Sequence, residues 1–155
     1  MIAAIDIADD AWACVEDLQP LTERAIQAAL DHALADKNVE IGVLFASDEE
    51  AARLNVQWRR KDYAPNILSF PAHQLLDVPQ GEPKPLGDLI LASGTVAREA
   101  EEQGKPLTSH LTHLIVHGTL HLLGFDHLAD ADAERMEAAE IAILAGLGVP
   151  DPYLS

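Results

Sequence analysis

The sequence predicts one α+β domain spanning residues 1–155. At 155 residues the chain can bury one sizeable core and is too short to expect two domains. Apolar residues make up 48% and are interspersed with charge, the composition of a folded globular chain and not of a disordered one. Four short extended segments and five stretches of helical periodicity follow one another with no internal repeat and no linker, the layout of a single α+β unit.

Residues 2–8 alternate loosely and read as a first strand. Residues 20–35 set Leu21, Ala25, Ile26, Ala29, Leu30 and Ala33 at helical spacing. Residues 39–46 alternate and then run apolar, the pattern of a central strand. Ser47-Asp48-Glu49-Glu50 is a capping box, Ser followed three residues later by Glu, and opens a helix ending near Trp58. Residues 66–70, between Pro65 and Pro71, form a short strand, and residues 71–85, with four prolines, form a loop. Residues 86–92 form the next strand, tolerating Gly87 near its start. Ser93 caps a helix to Gln103, which Gly104 and Pro106 stop. A helix over residues 108–123 and an amphipathic helix over 132–147 complete the set.

Several classes are excluded early. No apolar run approaches a membrane span, so no membrane is expected as a partner. The acid early in the first residues and the lack of a basic start are unlike a secretory signal. Cys14 is alone, which rules out an internal disulfide and reads as a small buried residue. These features fit a reducing cytoplasm. The net charge of −16 argues against broad adhesion to nucleic acid but leaves room for a local basic spot. Arg59-Arg60-Lys61 is such a spot, holding three of the ten Lys and Arg residues. It reads either as a solvated helix end or as a clamp for phosphate.

The chemistry gathers between residues 110 and 127, where five of the seven histidines lie. His117 through His127 spell H-x-x-x-H-x-x-G-x-x-H. Two imidazoles four apart share one side of a helix, and Gly124 lets the backbone leave it in a left-handed conformation and bring back a third. Three imidazoles with an open fourth position is how catalytic zinc is held, so His117, His121 and His127 are the expected ligands of one Zn²⁺. His110, His113, His117 and His121 form one stripe on a helix otherwise apolar nearly all round, so that helix is buried and its stripe faces a cleft or polar network. His113 could orient a ligand, act as an acid or be a satisfied buried histidine; His110, nearer the helix start, reads as exposed. Asp126 could hold a ring N–H or form a local turn, and Asp88 could handle a proton. Metzincin peptidases share this ligand spacing but carry Glu immediately after the first His; here Gly118 stands there, which moves weight from peptidase toward nuclease.

With these residues in view, the chain resembles the YbeY family of rRNA maturation factors, single-strand-specific metal-dependent endoribonucleases. The signature H-G-x-L-H-L-x-G-y-D-H is met by His117 through His127, preceded by His113-Leu114. A second block is met by Asn55, Trp58, Arg59, Lys61, Asp62 and the run from Asn66 to Pro71, and a third by Leu86-Gly87-Asp88-Leu89. Met136 and Glu140 resemble the closing helix. One departure is Ala64-Pro65 before Asn66, where the family has Pro-Thr; Pro65 lacks the hydroxyl and N–H of a threonine. The resemblance implies a small mixed sheet with a zinc site at the end of a buried helix. It also implies that Arg59 is needed for activity and that Arg59, Arg60, Lys61, Asn66 and Ser69 bind RNA. The expected substrate is single-stranded RNA, in particular the 16S rRNA 3′ end. The expected partners are the small ribosomal subunit and a ribosome-associated protein, which would supply docking energy to so acidic a chain. The rival readings are a zinc peptidase or other zinc hydrolase, and a noncatalytic assembly factor whose metal staples the fold.

Overall fold

Four strands make one mixed sheet in the order β1-β2-β4-β3, as seen in a computed structural model that describes residues 1–59, 65–72, 79, 81–126 and 128–154. Strand β1 (Ile2–Ile7) runs parallel to β2 (Val39–Ala46), and β2 runs parallel to β4 (Lys84–Ala92). Strand β3 (Ile67–Pro71) closes the other edge antiparallel to β4. The helices are α1 (Leu18–His32), α2 (Asp48–Arg59), α3 (Ser93–Glu102), α4 (Leu107–Leu122) and α5 (Asp130–Gly146). The α+β class with a small mixed sheet and five helices is borne out among the described residues.

Each parallel step needs a crossover, and the helical segments supply it: α1 lies between β1 and β2 in the chain, and α2 and β3 lie between β2 and β4. The core forms where α1, α4 and α5 meet one face of the sheet. Ile26, Leu30, Ile41, Phe45, Leu89, Leu91, Leu111, Ile115, Leu120 and Leu144 are buried there. Helix α4 is buried because it is apolar on nearly every side, as its sequence predicts.

The structure corrects several expectations. A 3-10 turn over Asp10–Cys14 went unread, because five residues carry no periodicity. It buries Trp12, whose indole N–H donates to the Ala46 carbonyl at 2.9 Å, and it leaves Cys14 exposed instead of buried. The strand expected from Leu86 begins at Lys84 and passes through Pro85, and β3 reaches Pro71, so residues 71–85 are not wholly a loop. Pro85 lies past the last β3 ladder partner, Gly87, at the edge where a strand tolerates a residue without N–H; the Ala72 N–H still reaches the Leu86 carbonyl at 3.0 Å. Leu86 is skipped in the β2 register, a bulge that Gly87 enters at φ +147°. A side chain at Gly87 would place a carbon 2.4 Å from the Phe70 carbonyl oxygen.

Ser47 does accept the Glu50 N–H, at 3.1 Å. Ser93, by contrast, is not a cap: it is the first residue of α3, and its hydroxyl donates to Asp9. The first turn of α3 is held instead by Asp48, whose carboxylate accepts the Thr95 N–H at 2.9 Å and its hydroxyl at 3.1 Å. Gly94 leaves room for that carboxylate. No helix among the described residues is long and apolar enough to cross a membrane.

Candidate metal centre

Helix α4 lies against β3 and β4, and Gly118 sets how closely. A side-chain carbon there would stand 2.8 Å from Ile67 Cδ1 and from Leu89 Cδ2. The histidine stripe lies on the neighbouring side of α4, where His113 and His117 meet Glu140 of α5. At its end the chain breaks as expected: Gly124 adopts φ +101°, and the Phe125 N–H returns to the Leu120 carbonyl at 3.0 Å.

His117 and His121 come together on this stripe, with their Nε2 atoms 3.1 Å apart. Both Nδ1 atoms are engaged elsewhere. His121 Nδ1 lies 3.0 Å from the Phe125 carbonyl, made available by the glycine turn. His117 Nδ1 lies 2.8 Å from Glu140 Oε1 on α5, and His113 Nε2 lies 2.9 Å from the same oxygen. Glu140 is fully buried, and its second oxygen accepts the Tyr153 hydroxyl at 2.8 Å. Burial pushes this carboxyl up, but the bonds from His113 and His117, the His117 charge and the Tyr153 hydroxyl outweigh it and hold the group at about 2. Burial, and then the hydrogen bond and charge of Glu140, push the Tyr153 hydroxyl up.

These bonds fix the protons. An ionised carboxylate and a peptide carbonyl only accept, so His117 and His121 must each carry hydrogen on Nδ1. In the neutral rings both Nε2 lone pairs then face each other across 3.1 Å. Only a proton or a cation between them removes that repulsion. Zinc–imidazole bonds of about 2.0–2.1 Å span such a gap. His113, His117 and Glu140 also offer ligand atoms within 4.8 Å of one another and could hold a metal ion.

A second network lies beside the first. His110 is 4% exposed, not exposed as expected, and Glu99 Oε1 lies 3.0 Å from its Nε2 inside the fold. The Asn66 side-chain amide donates to the same Glu99 oxygen at 3.1 Å. Between the two networks opens a cleft of about 570 Å³ lined by Asn66, Lys105, His110, His113, His117 and Tyr153.

Fold and site together make this an α+β domain whose buried helix sets a histidine pair beside an open cleft, with His113, His117 and Glu140 able to hold a metal ion. Comparison with known proteins narrows this further. Residues 5–148 match the family model for endoribonuclease YbeY. A protein called endoribonuclease YbeY from Erythrobacter litoralis (strain HTCC2594) is 48% identical over 153 residues, covering 94% of this chain and 91% of that one. Its namesake from Rhizobium meliloti (strain 1021) is 44% identical over 150 residues, covering 92% and 88%. The chain belongs to this family of endoribonucleases, as its motif blocks imply. The solution structure of a Thermotoga maritima protein shares the fold at a TM-score of 0.57 and 21% identity, covering 99% of this chain and 100% of that one.

The predicted residues divide into those the structure joins and those it does not. His117 and His121 meet; His127 lies outside the described residues. His113 joins them through Glu140, its ring standing edge-on to that of His117. Asn66 lines the cleft, held to Glu99, while Ser69 on β3 lies below Gly118. Asp126 is exposed and its carboxylate accepts the Leu128 N–H at 3.3 Å, a local turn. Arg59 ends α2, while Arg60 and Lys61 lie outside the described residues. Asp88 is corrected. Strand alternation puts Leu89 toward α4, so Asp88 points to the opposite face, beside Gly42 and Trp58, away from the histidines. Burial and the Glu40 charge push its carboxyl up.

Sequence reading missed Glu140 and Glu99 as site residues. A signal for Glu140 existed: with Met136, Ile143 and Leu144 it occupies the buried stripe of α5, an acid where the helical period calls for an apolar residue.

Proposed function

We propose that the chain is a zinc-dependent endoribonuclease of the cytoplasm, specific for single-stranded RNA and acting in 16S rRNA 3′-end maturation and ribosome quality control, as one domain over residues 1–155. The observation that carries this reading is the His117–His121 pair: two imidazoles held as metal-ready tautomers at 3.1 Å by Glu140 and the Phe125 carbonyl. His127, three residues past Gly124, is the third ligand in this reading. Zinc in such a site supplies a water made nucleophilic near neutral pH and an electrophile for phosphate oxygen.

The chain's own residues do the rest. Glu140 and the Phe125 carbonyl keep hydrogen off both Nε2 atoms. His113, donating to Glu140, fixes the carboxylate that orients His117. Arg59 stabilises charge developing on the phosphodiester, and Arg60, Lys61, Asn66 and Ser69 position the strand in the cleft. Asp126 orders the approach to His127. The remaining surface is strongly acidic, so the small ribosomal subunit and a ribosome-associated protein supply docking energy that charge attraction alone does not. The peptidase alternative is disfavoured because α4 meets the sheet at Gly118, where a peptidase's Glu would have to stand.

The test is cleavage of a labelled single-stranded RNA with and without a zinc chelator. Cleavage abolished by chelator, restored by zinc and lost in His121→Ala supports the reading. Chelator-resistant cleavage, or full activity in His117→Ala, overturns it.

A further inference from the structure

The segment after α5 turns back over the histidine stripe. Lys105 donates to the Pro152 carbonyl at 2.7 Å, and the Tyr153 N–H donates to Asp151 at 2.8 Å, which seats Tyr153 beside α4. Its ring stands edge-on to His113, with centroids 5.6 Å apart at 82°. A tyrosine kept for packing alone would bury its ring, yet this residue is 46% exposed while its hydroxyl reaches Glu140. That hydroxyl reaches a carboxylate with no exposed surface, where bulk water cannot replace it.

We infer that Tyr153 is a positioning residue for the metal pair: its hydroxyl locks the rotation of the Glu140 carboxylate, so that the other oxygen stays between His113 and His117. Glu140 can bridge the two rings only while its carboxylate plane keeps Oε1 within hydrogen-bond reach of both, at 2.9 and 2.8 Å. The Oε2 bond to Tyr153 is the contact among the described residues that sets this plane from the far side. Without it the carboxylate turns, the His117 ring loses its fixed Nδ1 acceptor, and Nε2 is no longer held toward His121. The effect passes through two hydrogen bonds and touches neither substrate nor metal.

This inference rests on the metal reading given under Proposed function, and the experiment separates the two. Zinc affinity of the full chain is measured by competition with a chelating indicator for wild type, His121→Ala, Tyr153→Phe, Glu140→Gln and the Tyr153→Phe/Glu140→Gln double variant. Folding is followed by melting temperature in each. Tyr153→Phe keeps the ring and is expected to weaken zinc binding about three- to tenfold, less than the ten- to hundredfold of a residue that touches a ligand. In the Glu140→Gln background it should change affinity less than twofold, because the route through the carboxylate is already broken. A merely structural hydroxyl would lower melting temperature and leave affinity untouched. Affinity within twofold of wild type in Tyr153→Phe, or an equal loss in both backgrounds, overturns the inference. Zinc binding absent from wild type, or unchanged in His121→Ala, overturns the metal reading and the inference with it.

Discussion

Gly118 and Ile67 meet where a side-chain carbon on the former would lie 2.8 Å from Cδ1 of the latter, so α4 rests on β3 through bare backbone at the turn that carries His117 and His121. The atoms in the way are the ends of flexible side chains, and alanine gains helix propensity of about 0.5–1 kcal/mol over glycine. Gly118→Ala should therefore change stability by no more than about 1 kcal/mol. Gly118→Glu adds a charge with no partner to a buried contact and should cost several kcal/mol without conferring peptidase activity. Thermal melts and a casein assay check both.

Glu140 ties acid stability to the histidines. Its carboxyl is held at about 2 in the folded protein against 4.5 in a free side chain. A lowered carboxyl contributes stability above the unfolded value and loses it as the pH falls through the folded one. Metal-free protein should therefore lose this contribution between about pH 4.5 and pH 2. Glu140→Gln should melt lower at pH 7, by the roughly 1–3 kcal/mol of a mismatched buried group, and the gap to wild type should narrow on acidification. Melting curves from pH 6 downward check it.

Arg59→Ala separates catalysis from folding. Loss of a cation that stabilises transition-state charge should lower kcat about 100- to 1,000-fold on single-stranded RNA, with melting temperature and zinc content unchanged. Equal loss of activity and folded protein would place Arg59 in the scaffold.

Asp48 predicts the converse. Its carboxylate holds the first turn of α3 from the start of α2. Asp48→Ala should cost about 1–2 kcal/mol, the value of a lost cap, with RNA cleavage per folded molecule unchanged. Denaturant titration beside a cleavage assay shows it.

Much of this was legible in the sequence. Alternation and helical spacing placed the four strands and five helices of the described residues, because each buries one face, α1, α4 and α5 in the main core and α2 and β3 in a smaller cluster around Ala51, Leu68 and Ile90. The H-x-x-x-H pair was readable because four residues make one turn. What escaped came from contacts between distant segments. Asp48 caps a helix 45 residues downstream, and Ser93 looked like the cap because it alone stood next to that helix. Pro85 read as a breaker because where β3 stops pairing with β4, at Gly87, is a fact of sheet order. His110 read as exposed because Glu99, which bonds its Nε2, sits on another helix. Glu140 was named only as part of a resembling closing helix, since nothing local says that it faces three donors 27 and 23 residues before it and 13 after.

The carboxylate that orients His117 arrives with the last helix, well after the histidines themselves have been synthesised. A polypeptide stalled or broken before α5 therefore carries His113 and His117 without the Glu140 acceptor that settles their protons. Such a product cannot hold the His117 ring as the full chain holds it, because the Glu140 oxygen 2.8 Å from its Nδ1 is missing.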